Sequence, residues 1–203
     1  MGSLSRTKFE SLLSRAALLS AQAAKLNKKP ERQAKLTFLH AALTAQVAAW
    51  DVYIKAIAAE YFSVTSRPAD PAYSAVHGML QLRMAAAAKK LNTPDSERCR
   101  EFLISHIGFD PWPSWVNVRF GSSIFSASML TRSRLDDIFK VRHSFAHGLT
   151  MPAYAWNMDL SGTATLSCQL LSDTRRFFLD LCRNTDAAIA IHIVAQHGLA
   201  KPW

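Results

Sequence analysis

The sequence predicts an all-α protein, and three observations carry that expectation. Glycine is scarce, with 7 residues in 203, while alanine recurs along the chain. One apolar stripe (Leu36, Leu39, Leu43, Val47, Trp50, Ile54, Ile57, Tyr61) advances in steps of 3 or 4 residues, the period of a helix face. The prolines fall at the borders of the periodic segments, where a missing N–H and a fixed φ do least harm.

Each element follows in order. The first helix is expected from Leu4 to about Lys28, stopped by Pro30. Its alanines, with Lys and Arg between them, suit a helix lying on a partner helix. The second and longest carries the apolar stripe and ends at "SRPADP", where Pro68 and Pro71 break it. A third is expected over about Ala72–Leu91. A short fourth should start at Thr93, read as an N-cap with Pro94 at the first helical position, and run to about His106. "GFDPWPSWVNVRFGSS" reads as a long aromatic loop, with Trp112 and Trp115 pinning it down or offering faces for bases. The fifth helix covers about Ser128–His147, with Gly148 suited to the position just past its end. "NMDLSGTATLSCQ" suggests a small β-hairpin around Ser161-Gly162. The last helix is expected from near Ser172 to just before Gly198. The whole reads as one domain over residues 1–203, with 1–30 as a helical arm and 31–203 as the bundle core.

Composition narrows the function classes. A formal net charge of +9 favours polyanionic partners such as RNA, DNA or an anionic surface, or serves solubility alone. The charged fraction is slightly low at 19 %, which suggests that a partner covers some surface. Three widely spaced cysteines, Cys99, Cys168 and Cys182, form no CxxC pair and suit a reducing cytoplasm, each as a small core hydrophobe. "MGSLSRTKFE" has no apolar signal core, and Arg6 stands where a myristoylation motif wants Ser or Thr. No run of 18 apolar residues offers a membrane span; the nearest is interrupted by Asp51 and Lys55. A cytoplasmic protein without a membrane partner is expected.

One stretch carries chemistry: "KVRHSFAHGL", Lys140–Leu149. On a helical wheel Ile138, Val141, Phe145 and Leu149 form a core-facing side. Arg142 lies close to that side, so its guanidinium needs a carboxylate, a phosphate or an open cleft. His143 and His147 are i, i+4 neighbours on another face. Three readings compete. The strip is a core helix end with an internally paired arginine; or a His-x-x-x-His metal pair, for which no third ligand is evident; or a nucleic-acid cleavage site. In the last, arginine's fork holds a phosphate whose charge grows in the transition state. Histidine, titrating near neutrality, moves the proton.

"RHSFAH" resembles the HEPN signature: an arginine, a polar residue after it, and a histidine closing an Rx4–6H spacing near a helix end. "AAWDVYIKAIAAEYF" and "LDDIFKVRHSFAHG" are similar to segments of the RiboL-PSP-HEPN group. The likeness runs over roughly residues 35–197. It implies a HEPN-like up-and-down helical bundle with a long second helix. It also implies a two-fold homodimer whose signature helices meet in one composite RNase site, without metal or cofactor. Arg142 and His147 are then the catalytic pair, with His143 at the polar position. RNA supplies its own 2′-OH nucleophile, and a dimer supplies two histidines for the two proton transfers. Toxin and antiviral-effector roles, with a separate antitoxin or regulator, belong to the same implication. Some HEPN toxins carry a modifiable tyrosine two residues after the histidine; here that residue is Leu149, and Tyr154 is at another spacing. Two other classes stand beside the enzyme. A non-catalytic dimerisation or RNA-binding module is weakened by the presence of both Arg142 and His147. A DNA-binding regulator is weakened by the lack of helix-turn-helix spacing.

Overall fold

The computed structural model describes residues 2–203. The described residues form six α-helices: α1 Leu4–Lys25, α2 Arg32–Val64, α3 Pro71–Lys90, α4 Ser96–Ile107, α5 Ser128–Ala146 and α6 Cys168–His197. A two-stranded antiparallel ladder, β1 Val118–Phe120 and β2 Ser123–Phe125, lies between α4 and α5. The architecture is the helical bundle that the periodicity requires. Among the described residues no helix is long and apolar enough to cross a membrane.

The long α2 is the axis of the core. Its stripe from Leu39 to Tyr61 is buried throughout, and Trp50, Tyr53, Ile54 and Ile57 lose all solvent contact. α1 lies along it, adding Phe9 and Leu13 to the core, and α6 closes the other side with Phe177, Phe178 and Leu181. Trp50 packs near Trp115 and Phe178, with ring centroids 6.1 and 5.8 Å away. The two polar aromatics at the centre find partners: the Trp50 indole donates to the Pro94 carbonyl and Tyr53 donates to the Cys182 carbonyl. Cys99 and Cys182 are buried, and burial pushes both thiols up, so they pack as apolar groups.

Several local expectations change. Asp95, not Thr93, caps α4: its carboxylate accepts from the Arg98 N–H at 3.0 Å, while Thr93 sits at φ 49° outside the helix. Asp is the stronger cap, and the Pro94 carbonyl is engaged by Trp50. The paired strands fall at 118–125, overlapping the end of the stretch read as a loop, with Gly121 at φ 59° beginning the two-residue turn. Around Ser161-Gly162 only a single bridge, Met158 to Ala164, is formed. α6 begins one turn earlier than expected because Ser167 caps it, accepting from the Leu170 N–H. Trp115 is fully buried, donating to Thr185, and Trp112 donates to the Ser96 carbonyl beneath Arg132. Both tryptophans therefore pin the loop.

The candidate Arg–His cleft

α5 brings the strip to the surface. Leu135, Ile138 and Val141 anchor its middle in the core without exposure. The helix ends in a Schellman arrangement. The Gly148 N–H donates to the Phe145 carbonyl, the Leu149 N–H donates to the Ser144 carbonyl, and Gly148 adopts φ 64°. A side chain at Gly148 would resist that conformation, so the glycine determines how the chain leaves the strip.

The expected core face does not continue to the end. Phe145 is 45 % exposed and Leu149 is 61 % exposed. Burial on α5 ends with Val141 and Ser144, and the helix residues from Phe145 onward face solvent. Phe145 stacks on His40 of α2, with the rings 4.1 Å apart and 5° from parallel.

Beside this turn a cleft of about 630 Å³ opens between α5, the first turn of α4 and the segment after Gly148. Asp136 ties two of its walls together, accepting from both the backbone and the hydroxyl of Ser96 at 2.9 Å. Arg142 and His143 line the cleft, with Lys140, Arg98 and Tyr154. Arg142 is half-buried; its Nε is shut off from solvent and lacks a hydrogen-bond partner. Among the described residues no carboxylate pairs with it. The internally paired arginine is thereby excluded there, and the open-cleft alternative is the one realised.

His147 caps α5 and lies outside the cleft lining, exposed, with its ring centroid 4.1 Å from that of His143. The two imidazoles form a touching pair at the rim, with Arg142 one residue before His143. Among the described residues no third ligand joins them as a metal site would need. The strip thus sets a guanidinium without an ion pair among the described residues beside two imidazoles, one in the cleft and one at its rim, a combination suited to phosphoryl chemistry, while Asp95, Glu97 and Asp136 also line the cleft.

Sequence reasoning missed the opposite wall and one histidine. Asp95, Arg98 and Tyr154 reach the cleft only through the tertiary fold. Burial, and then Asp137, pushes the Tyr154 phenol up, which keeps it neutral and able to donate. His40 is adjacent to Leu39 of the α2 stripe, and its Nδ1 is buried without a partner. Burial lowers its pKa, favouring the neutral ring against Phe145. Its only signal in the sequence was that position beside the stripe.

A helical bundle that presents an Arg–His strip at a helix end, beside an open cleft, has the organisation of a HEPN domain. The family model for RiboL-PSP-HEPN matches residues 10–190, most of the chain, and the chain belongs to that family. No curated protein and no solved structure matches it. HEPN domains are often associated with RNA binding and RNase activity.

Proposed function

We propose that this protein is a metal-independent endoribonuclease that cleaves RNA by attack of the 2′-OH on the adjacent phosphate. Its biological setting is that of a toxin or antiviral-defence effector. The observation that carries the reading is Arg142: a half-buried guanidinium with no ion-paired carboxylate among the described residues, facing a cleft beside two imidazoles. A buried cation without a counter-ion lowers stability, and binding an anion relieves that cost.

In this scheme Arg142 holds the scissile phosphate and stabilises the charge that grows on its non-bridging oxygens. One imidazole takes the 2′-OH proton as the new P–O bond forms. Another returns a proton to the 5′-oxygen as the old P–O bond breaks, leaving a 2′,3′-cyclic phosphate. His147 is the expected proton carrier, and His143, which lines the cleft, positions it or shares the proton. The exposed Phe145 and Leu149 beside the strip support a two-fold pairing that brings a second Arg142–His147 set to the same cleft.

The test is cleavage of RNA in EDTA by purified protein and by His147→Ala, once both are shown equally folded and equally dimeric. Cleavage that persists in EDTA and falls by about 10²- to 10⁴-fold in the variant is expected. Equal cleavage by both proteins would remove His147 from the mechanism.

A second reading, a dimerisation or RNA-binding module without catalysis, draws on the position of His147 outside the cleft lining. It predicts RNA binding without cleavage by either protein.

A further inference from the structure

A second hollow, about 350 Å³, lies between β1 and the N-terminal half of α6 and shares no lining residue with the Arg–His cleft. Four arginines face it: Arg119 from β1, and Arg175, Arg176 and Arg183 from α6. Two carboxylates are present, and they do different work. Asp180, with a side chain only 9 % exposed, accepts from the Arg119 Nε at 2.7 Å and Nη2 at 2.8 Å. It also lies 3.8 Å from Arg183. Burial works against the Asp180 carboxylate, but the hydrogen bonds from Arg119 outweigh it and hold the pKa below the usual range. Asp180 is therefore ionised at neutral pH and fixes Arg119 with its remaining terminal nitrogen free. Asp173 accepts from Gln169 and takes no arginine.

The balance is four cations to two anions, in a hollow whose only wholly apolar lining side chain is Leu179. Arg175 and Arg176 have no ion pair among the described residues, and the Arg175 Nε is buried without a partner. No aromatic ring lines the hollow, so nothing there would hold a base by stacking. One fixed fork at Arg119, surplus positive charge and the absence of a base platform select phosphate groups rather than nucleobases.

We propose that this hollow is an exosite for the RNA phosphate backbone, engaging a strand away from the Arg–His cleft and adding affinity without reading sequence. The proposal rests on the ribonuclease reading only for the identity of the polyanion.

The test is fluorescence anisotropy of a labelled single-stranded RNA with the full chain carrying His147→Ala, across about 50 to 200 mM salt. Arg175→Gln with Arg176→Gln is added to that chain. Each lost phosphate contact should flatten the log K against log salt slope by about 0.7. The pair should therefore flatten it by about 1.4 and weaken binding roughly tenfold near physiological salt. Arg176→Gln alone, at an exposed position, should give about half of the slope change and guards against misfolding of the double variant. Lys28→Gln with Lys29→Gln removes the same charge from exposed positions outside the lining of the hollow. Unchanged affinity and slope in the α6 variants would overturn the exosite, as would equal losses in the Lys28 and Lys29 control. An unsubstituted chain with no RNA affinity at any salt would overturn it too. Cleavage plays no part in this readout, so failure of the exosite and failure of the catalytic reading register separately.

Discussion

α2 and α5 carry apolar stripes of the same period and meet different fates. On α2 every stripe residue from Leu39 to Tyr61 is covered by α1, α6 or their neighbours. On α5 the stripe is covered through Val141 and then emerges, leaving Phe145 and Leu149 open to solvent. The difference teaches that periodicity states which face of a helix seeks cover, while the covering element is a property of the assembled molecule. Where α2 ends, polar residues and a proline-rich turn replace the stripe. Where α5 ends, the apolar face persists next to Arg142, His143 and His147, so the uncovered face and the chemistry coincide.

The comparison can be broken first at its buried end. Trp50→Ala removes a side chain packed near Tyr53, Trp115 and Phe178. It should cost about 3–5 kcal/mol in a denaturant melt. Phe145→Ala, taken from the emergent end of the other stripe, should cost the isolated chain less than about 1 kcal/mol. In the proposed dimer its apolar area would be withdrawn from water, and the same substitution should weaken self-association roughly tenfold or more in sedimentation equilibrium. Stability losses of equal size in the two variants, with association unchanged, would show that Phe145 is an ordinary core residue.

A smaller effect separates the two candidate caps of α4. Asp95→Ala should cost about 1 kcal/mol of stability, because it strands the Arg98 N–H at the wall of the cleft. Thr93→Ala should lie within about 0.5 kcal/mol of the parent. The reverse ranking would return the cap to Thr93 and shift the start of the helix.

Much of this molecule was legible because the decisive signals are local. The α2 stripe, the prolines around α3 and the glycine after the strip all act within a few residues of where they stand. Arg142, His143 and His147 are contiguous enough that helix geometry alone groups them. The paired strands also had a signal, since Val116, Val118 and Phe120 alternate before Gly121-Ser122, but the tryptophans and prolines around them dominated the reading as a loop. Other features depended on distant partners. Asp95 caps α4 through the Arg98 N–H while Trp50, far away in sequence, engages the carbonyl of Pro94. The far wall of the cleft comes from residues 93–98 and 149–154, which no spacing rule joins to Arg142. The arginine hollow needs β1 and α6 to meet across about 60 residues of chain, so its four arginines read as scattered charge.

The smallest effect concerns the stack that joins the two helices at the emergent end. His40 lies on Phe145 with its pKa lowered by burial, so the folded state prefers the neutral ring. In the unfolded chain the ring takes up a proton near its ordinary pKa of about 6.5. The unfolded state therefore binds more protons in the window from about 6.5 down to the lowered value. The contribution of the neutral stack is complete above that window and declines as pH falls through it. His40→Phe keeps an aromatic face for Phe145 and cannot take a proton. Parent and variant should have nearly parallel melting temperatures above neutrality, and the parent should fall further as the buffer moves from about pH 7 to 5. His106 and His197, also lowered by burial, contribute equally to both proteins, so the difference between the two curves isolates His40. Curves that stay parallel to pH 5 would mean that His40 titrates alike in the folded and unfolded chain. The α2–α5 stack would then be a surface contact with no part in holding the last turn of α5.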